Sequence, residues 1–233
     1  IRLWLDANNV DGDDTADSIA DGTAIIQWID RSGNNNHAGQ ATEANRPTYE
    51  VRSGFSRADD MPHVEFTSSQ SLDISSDSNI RSIVALIRQA PTQSAVTKPF
   101  GGNQNLTTSA GKFALGAIDS GTTSQNLSIV AWQMAPGAYS IHVNGVNKGS
   151  STSSLTPDGF TKVGNDFVGE ILEVIAYDRA LSNGVRQKLE GYLAHKWDTA
   201  TSVDSLVGEL ASSHNYKNTK PAFGGAQILT FQP

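Results

Sequence analysis

The chain contains no cysteine among its 233 residues. Disulfide bonds are therefore excluded, and the fold must be stabilised by its packed core or by a bound metal. Aromatic residues contribute only 7% of the sequence and charged residues 18%, whereas hydrophobic residues as a whole reach 37%. This balance is typical of a folded protein with a polar surface rather than of a disordered chain.

Lysine and arginine do not cluster beyond pairs of nearby residues, and the formal net charge is −7. This charge argues against nucleic acid or an anionic membrane as the partner and fits the binding of a cation better. No apolar run approaches the roughly 18 residues that a membrane-spanning helix needs, so we expect no membrane insertion.

A chain of 233 residues is long enough for one large core, and all-β sandwiches of this size often form a single domain. The 21 glycines, together with many Asn, Ser and Thr residues, suit a chain that turns often. The chain begins at Ile1 without a methionine or a signal peptide, which indicates a mature form or a module cut from a longer chain. We therefore expect one domain over residues 1–233, with covalent neighbours in a longer protein.

The most informative stretch is a strand pattern that leads directly into a helix pattern. Residues 171–176 are mostly apolar on both faces of a two-residue period, which predicts a central strand that is covered on both sides. Ser182 then offers an N-cap side chain, and apolar residues follow at a spacing of four, which predicts one amphipathic helix. The predicted apolar stripe of this helix consists of Val185, Leu189, Leu193 and Trp197.

This stretch also resembles a known group of domains. The pattern Phe-x-Gly-x-Ile-x-Glu-Val-Ile-x-Tyr-x-Arg-Ala-Leu-Ser at residues 167–182 is similar to concanavalin A-like, laminin-G-like domains of bacterial secreted and surface proteins. Residues 190–197, 3–7, 28–38 and 46–49 resemble further blocks of these domains. The resemblance is weakest over residues 91–126. It implies an all-β fold, a concanavalin A-like jelly-roll sandwich with one C-terminal amphipathic α-helix.

An acidic loop follows the first strand pattern and carries the sharpest chemical signal. Oxygen-bearing side chains stand at the first, third, fifth and ninth positions of a twelve-residue loop that begins at Asn9, and such groups can converge on one hard cation. Ala20 and Asp14 occupy the twelfth and sixth positions, so the loop is not an EF-hand, although Asp21 can supply the missing carboxylate. The predicted calcium ligands are Asn9, Asp11, Asp13, Asp17 and Asp21. The alternative is a solvated acidic loop without metal.

Candidate ligand-binding residues lie in the middle of the chain. Sandwich lectins bind ligands at loops of one end or on the concave face, where amides and carboxylates meet hydroxyl groups, and the resemblance implies the same here. The polar candidates for this role are Asn103, Asn105 and Asp119. Among the tryptophans, Trp132 follows an apolar strand pattern and precedes a turn, so it is the candidate for stacking on a sugar.

Two further polar groups receive structural interpretations. Asp30 and the asparagines at 34–36 favour a turn closed by side-chain hydrogen bonds over a metal site. Glu170 and Glu173 lie on the central strand, where some hydrolases of this sandwich fold carry a catalytic pair. A three-residue offset is expected to send the two carboxylates to opposite faces, whereas a catalytic pair must flank one sugar about 5–9 Å apart. We therefore expect no enzymatic activity.

Together, these observations predict a non-catalytic, calcium-dependent ligand-binding module of an extracellular or bacterial cell-surface protein, such as an RTX-type adhesin. Its partner would be a glycan or an exposed peptide. Two alternatives stay open. One is a carbohydrate-active enzyme, a glycoside hydrolase or lyase, or its accessory carbohydrate-binding module. The other is a structural spacer of a surface protein.

Overall fold

The computed structural model describes residues 1–13, 19–51, 61–67, 69–77, 79–91, 96–102, 106–109, 111–155, 159–198 and 205–222. Within these residues the chain forms seventeen strands, two α-helices and one 3-10 turn. The strands are β1 (Leu3–Asp6), β2 (Thr23–Ala24), β3 (Gln27–Trp28), β4 (Ala38–Gly39), β5 (Thr48–Glu50), β6 (His63–Phe66), β7 (Leu72–Asp77), β8 (Ser82–Gln89), β9 (Lys98–Gly101), β10 (Leu106–Ser109), β11 (Lys112–Leu115), β12 (Ile118–Thr123), β13 (Ser128–Ala135), β14 (Ala138–Val143), β15 (Val146–Ser151), β16 (Phe160–Asn165) and β17 (Gly169–Tyr177). The helices are α1 (Asn183–Lys196) and α2 (Leu206–Glu209), and the 3-10 turn is Glu43–Asn45.

The largest sheet forms one layer of the fold. Its nine strands run in the order β15-β14-β13-β8-β17-β6-β5-β2, and β1 also pairs with β17. Strands β1 and β6 share one edge of β17, with β1 beside residues 173–176 and β6 beside residues 169–171. Every residue of β8 and β17 is buried, as expected for central strands that are apolar on both faces.

Two smaller sheets form the second layer. Their strand orders are β3-β4-β7-β16-β9 and β10-β11-β12. The sheets meet at Thr97 and Thr108, whose backbones exchange hydrogen bonds of 3.0 and 2.9 Å and whose hydroxyl oxygens lie 2.6 Å apart. The second layer therefore continues from one small sheet into the other.

Aromatic side chains fill the space between the two layers. The ring of Trp132 on β13 packs edge-on against Phe100 of β9 and Phe113 of β11, with centroids 5.6 and 6.2 Å apart. Phe100 also meets Phe160 of β16 at 5.5 Å. These four rings are fully buried, so one core joins strands of both layers. The predicted class, an all-β sandwich with a C-terminal amphipathic helix, is confirmed by this arrangement and by α1; the short helix α2 follows it.

Helix α1 packs against β8 and β13 of the large sheet. Its predicted N-cap is correct, because the Ser182 hydroxyl accepts a hydrogen bond from the Val185 backbone N–H at 3.4 Å. Leu189, Leu193 and Trp197 are buried, which confirms most of the predicted apolar stripe, whereas Val185 is half-buried.

The helix covers the face of the large sheet that points away from the second layer. Gln133 follows Trp132 on β13 and so points to the opposite face, where its side-chain N–H donates to the Leu181 carbonyl at 3.0 Å. Leu181 immediately precedes the helix cap. The helix is therefore an extra layer outside the sandwich.

A buried ion pair lies on α1. Both carboxylate oxygens of Glu190 accept hydrogen bonds from Arg186 at 2.6 Å, and His214 of the C-terminal segment lies 3.2 Å from Glu190. Burial lowers the pKa of His142 on β14 to about 4. The Arg186 charge also lowers this pKa, whereas the Glu190 charge raises it. This cluster connects the helix, strand β14 and the C-terminal segment.

The polar turn after β3 closes around one carboxylate. The Asp30 Oδ1 atom accepts hydrogen bonds from the backbone N–H groups of Trp4 and Ser32, each at 2.9 Å. Its Oδ2 atom accepts from the Asn36 backbone N–H, also at 2.9 Å. These bonds hold the turn against β1, which agrees with the structural interpretation of this segment.

The dipeptide Asn144-Gly145, which is typical of a hairpin turn, joins β14 and β15 with φ angles of 49° and 79°. Strand β12 is not expected from the sequence, because Ser120 is its only buried residue and its pattern lacks an apolar face. The sequence allows either a last strand or a linker at residues 227–231, and this segment lies outside the described residues. In the described part of the chain, no helix has the length and apolar character to span a membrane.

Candidate ligand-binding surface

The acidic loop contains three of the predicted metal ligands within the described residues. Asn9 is only 4% exposed, and its side-chain oxygen has no hydrogen-bond partner in the described part of the chain. Asp11 is exposed, and its Oδ1 atom accepts a hydrogen bond from the Asp13 backbone N–H at 3.3 Å. Asp17 lies outside the described residues. A buried oxygen without a partner costs free energy, and a cation bound to Asn9 would offset this cost.

Asp21 makes a long-range contact that the sequence does not reveal. Its Oδ1 atom accepts a hydrogen bond from the backbone N–H of Val51, the residue that follows β5, at 2.8 Å. The pKa of Glu50 on β5 is raised mainly by burial and, to a smaller extent, by its hydrogen bond with Asp21. Over the described ranges, no three His, Asp or Glu side chains gather into a metal-binding group. Calcium binding stays a prediction.

Asp119 lies on the small sheet, at the start of β12. Its Oδ1 atom accepts a hydrogen bond from the Gly121 backbone N–H at 2.7 Å, and its Oδ2 atom pairs with Lys112 at 3.4 Å. It lines an open cavity of about 240 Å³ together with Val96, which is 60% exposed. The two other polar candidates lie outside the described residues: Asn103 and Asn105.

Trp132 lies in the core rather than at a binding face. Its fully buried ring packs between Phe100 and Phe113, and its indole N–H donates to the Ala114 carbonyl at 3.2 Å. No face of the ring is open to a sugar, so its placement argues against the stacking role expected from the sequence. The pattern is ambiguous because both faces of β13 are covered, one by the second layer and the other by α1.

The expectation that Glu170 and Glu173 point to opposite faces of β17 is wrong. Glu170 pairs with Arg88 of β8, and Glu173 pairs with Leu86. Arg88 and Leu86 are two positions apart, so they share one face of β8, and their partners on β17 lie on that same face. The register shifts around Leu172, which has no partner on β8. This β-bulge adds one residue to β17 and therefore brings both carboxylates to the same face.

Both of these carboxylates are nevertheless buried, and each forms an ion pair. Glu170 pairs with Arg88. Glu173 accepts hydrogen bonds from the indole N–H groups of Trp4 and Trp197 and from Lys196, at distances between 2.7 and 2.8 Å. Burial raises the pKa of Glu173, and the Lys196 charge opposes this shift. Neither carboxylate is presented at the surface.

A row of directly paired residues crosses the five-stranded sheet of the second layer. From β3 through β4, β7 and β16 to β9, the row consists of Gln27, Gly39, Asp73, Lys162 and Gly101. Residues that stand directly opposite each other share a face of the sheet. Their chain neighbours Trp28, Leu72 and Val163 are fully buried, so the row points away from the core. We call it the outer-face row.

The outer-face row presents hydrogen-bonding groups and one gap. Lys162 donates to the Asp73 carboxylate at 2.6 Å, and the two side chains are 37% and 58% exposed. Gln27 is exposed at one end of the row. A Cβ at Gly39 would meet only a backbone carbonyl, at 3.6 Å. The absent side chain therefore leaves a gap between Gln27 and Asp73.

The opposite end of the row is closely packed. A Cβ at Gly101 would lie 2.8 Å from the Lys162 Cβ and 3.0 Å from the Asn165 Cβ. A side chain at position 101 would therefore clash with its neighbours on β16. The row thus offers an amide, a carboxylate and an ammonium, in that order across the sheet.

An open cavity of about 330 Å³ meets the outer-face row at Gln27. Within the described part of the chain, its apolar lining residues are Val10, Ile19, Ala24, Ile25, Ile26 and Ile29. Asp11, Thr23 and Gln27 are the described polar lining residues. We call this space the aliphatic cavity. It joins the acidic loop, through Asp11, to the outer-face row.

Sequence reasoning did not single out Asp73 or Lys162 as candidate ligand contacts. The only signal in the sequence is that each charged residue stands beside a buried apolar one, Leu72 or Val163. This alternation predicts a strand with one exposed face, but it does not show which residues of distant strands share that face.

No protein-family model matches the chain, and no curated protein matches its sequence. Solved structures are similar in fold. Trypanosoma rangeli sialidase in complex with sialic acid matches with a TM-score of 0.52 and 17% identity, over 79% of this chain and 32% of that chain. Domain 4 of AbnA, a GH43 extracellular arabinanase from Geobacillus stearothermophilus in complex with arabinotriose, matches with a TM-score of 0.52 and 15% identity. This match covers 79% of this chain and 95% of that domain.

The chain spans about a third of the sialidase chain and nearly all of the arabinanase domain. At 15–17% identity, this likeness shows the fold alone. The fold agrees with the concanavalin A-like sandwich that the sequence pattern implies.

Proposed function

We propose that this chain is a non-catalytic, extracellular module that binds a glycan. The outer-face row is the observation that carries the proposal. Its carboxylate, ammonium and amide groups are exposed, and each can donate to or accept from a sugar hydroxyl. In this proposal a glycan lies across the strands and contacts Asp73, Lys162 and Gln27.

The likeness to known structures supports a carbohydrate ligand over a peptide. The arabinanase domain of similar fold is in complex with arabinotriose, and the sialidase is in complex with sialic acid. The burial of Glu170 and Glu173 in ion pairs supports a binding role over a catalytic one. We place the module in a larger bacterial surface or secreted protein, where glycan binding would serve adhesion.

A glycan array followed by titration calorimetry tests the proposal, and the chain contains a matched control. Asp73–Lys162 and Asp119–Lys112 are both exposed ion pairs of the second layer, with distances of 2.6 and 3.4 Å. Asp73→Ala should weaken glycan binding by at least about tenfold, because a hydrogen bond to a charged group contributes about 1.5–3 kcal/mol. Asp119→Ala should leave the affinity unchanged.

The same experiment separates the outer-face row from the surface around Asp119. If Asp119→Ala weakens binding while Asp73→Ala does not, the ligand lies on the small sheet and the row is not the site. If no glycan binds the wild-type chain, the proposed function is wrong.

We also propose that calcium orders the acidic loop. Asn9, Asp11, Asp13 and Asp17 would hold the ion, which would neutralise the Asp11 carboxylate beside the aliphatic cavity. The partnerless oxygen of buried Asn9 supports this role. Asp21, the fifth predicted ligand, contacts the Val51 backbone N–H through its Oδ1 atom.

Thermal unfolding tests the calcium proposal. Calcium at 100 times its dissociation constant stabilises the folded state by about 2.7 kcal/mol, which raises the Tm of a domain of this size by about 5–10 °C. Asn9→Ala should abolish the increase. A Tm that is the same in calcium and in EDTA would exclude a calcium role.

A second candidate function is an accessory carbohydrate-binding module of a carbohydrate-active enzyme. The likeness to one domain of an arabinanase, over 95% of that domain, favours it. A catalytic domain encoded beside this chain would support the accessory role, whereas neighbouring repeats of surface proteins would support adhesion.

A further inference from the structure

The aliphatic cavity differs in chemistry from the outer-face row that it meets. Most of its described lining residues are aliphatic, and none of those described is aromatic. Its volume of about 330 Å³ lies at the lower end of the range for small-molecule sites, which is roughly 300–1,000 Å³. The space therefore suits one small unit of a ligand rather than a long chain.

Ile26 is the most exposed part of this lining. Its side chain is 62% exposed, whereas that of the preceding Ile25 is buried. Exposed aliphatic surface at the rim of a cavity is stabilised when an apolar ligand group covers it. A sugar that carries only hydroxyl groups offers little apolar surface, whereas an acetamido group offers a methyl group.

The polar lining residues can satisfy the rest of an acetamido group. Its N–H needs an acceptor, and its carbonyl oxygen needs a donor. The Asp11 carboxylate and the Gln27 side-chain oxygen are acceptors, and the Gln27 side-chain NH₂ group is a donor. Both residues line the cavity, and Gln27 also belongs to the outer-face row.

We infer that the aliphatic cavity holds one N-acetylated sugar unit of the bound glycan, an inference that rests on the proposed glycan-binding function. The acetyl methyl group contacts Ile26 and Ile29, and the amide group contacts Asp11 or Gln27. The adjoining sugar units lie along the outer-face row.

The recognition of the acetamido group does not depend on the charge of the cavity. Among the described lining residues Asp11 is the one charged residue. Without calcium its carboxylate repels an acidic sugar, whereas a calcium ion at Asp11 would compensate this charge. An acetamido group is neutral and fits the cavity in both states, so we expect an N-acetylhexosamine there.

Calorimetric titration of the 233-residue chain with two trisaccharides tests the inference. The β-1,4-linked trimers of N-acetylglucosamine and of glucose share their linkage and differ in the acetamido group. The acetylated trimer should bind at least about fourfold more tightly, because one buried methyl group contributes about that factor.

Two exposed aliphatic residues at separate sites, Ile26 and Val96, provide the test variant and its control. Ile26→Ser removes the aliphatic rim at an exposed position and should abolish the preference for the acetylated trimer. Val96→Ser, at a residue that is 60% exposed beside Asp119, should preserve the preference.

The outcomes distinguish this inference from the function on which it rests. Equal affinities for the two trimers, or a preference that survives Ile26→Ser, would overturn the acetyl site and leave glycan binding in place. Binding of other glycans without either trimer would overturn it as well. Failure of every glycan on an array would overturn the proposed function itself.

Discussion

Replacing Glu173 by Gln tests whether one buried carboxylate fastens three elements of the fold. Glu173 lies on β17 and is fully buried. It accepts hydrogen bonds from Trp4 of β1, from Lys196 at the end of α1 and from Trp197 just beyond it, at distances between 2.7 and 2.8 Å. If these bonds stabilise the native state, loss of the charge should lower the free energy of unfolding.

The substitution has two opposed effects on stability. Removal of the charge relieves the desolvation that raises the pKa of Glu173, and Lys196 keeps a second partner, Asp6, at 2.6 Å. However, Gln has only one acceptor oxygen, so one of the two indole N–H groups faces the amide NH₂ group and loses its acceptor.

The second effect should be the larger one. A hydrogen bond to a charged group contributes about 1.5–3 kcal/mol, and an unsatisfied buried donor costs about 1–3 kcal/mol. The substitution weakens the hydrogen bonds to both indoles and leaves one donor unsatisfied. The free-energy cost of these changes should exceed the gain from removing a buried charge, because Asp6 still compensates the Lys196 charge. We expect Glu173→Gln to lower the free energy of unfolding by about 3 kcal/mol.

Urea unfolding at neutral pH, followed by tryptophan fluorescence, measures this change. In a chain of this length, a loss of about 3 kcal/mol corresponds to a fall in Tm of about 6–12 °C. Asp119→Asn is the matched control, since its carboxylate is exposed and should contribute little to stability. A Glu173→Gln variant within about 1 kcal/mol of the wild type would refute the fastening role, because desolvation would then offset the hydrogen bonds.

Three further predictions concern the stability of the fold. His142 has a pKa of about 4 in the folded state against 6.5 when unfolded, so its stabilising contribution is present above pH 6.5 and is lost as the pH falls towards 4. Between pH 7 and 4.5, urea unfolding of the wild type should lose about 2 kcal/mol more than that of His142→Asn, and equal losses would contradict this assignment. Gly164→Ala places a Cβ 2.3 Å from the buried Phe66 ring at a φ of 70°, so we expect a loss of about 3 kcal/mol or more. Gly22→Ala, at a φ of 77° with no atom within 4 Å, should cost only about 1–2 kcal/mol, and similar Tm values for the two variants would contradict the steric argument. Ser182→Ala removes the helix cap and should lower the free energy of unfolding by about 1 kcal/mol in urea unfolding; an unchanged midpoint would show that the cap contributes nothing.

The layers and the helix could be predicted because their signals are local. Strands β8 and β17 are apolar on both faces, and a strand of that kind requires a cover on each side. The cap at Ser182 and the spacing of Leu189 and Leu193 identify α1 in the same way. Strand β12 could not be predicted, because it is stabilised by pairing with β11 and has no apolar face that the sequence would show.

The faces of Glu170 and Glu173 could not be predicted from spacing. A two-residue period assumes that every residue of a strand has a partner, whereas Leu172 is an extra residue in the pairing of β17 with β8. Strand β17 changes its other neighbour from β6 to β1 around this residue. The change of neighbour occurs between residues that are far apart in the sequence, so no local pattern announces the bulge.

The type of a residue did not separate a ligand contact from a turn. Asp21, Asp30 and Asp119 belong to segments rich in Asp and Asn, and each accepts a hydrogen bond from a backbone N–H group at 2.7–2.9 Å. A ligand that took these oxygens would leave the donor of a turn or strand end unsatisfied. Asp73 differs because its partner is the exposed side chain of Lys162. An exposed ion pair contributes little to stability, so a sugar hydroxyl can replace that contact without disturbing the backbone. The candidate binding residue is therefore distinguished by the kind of hydrogen-bond partner that it has, an exposed side chain rather than a backbone N–H group, and not by the number of carboxylates nearby. Strand pairing determines this partner, and the sequence does not show strand pairing.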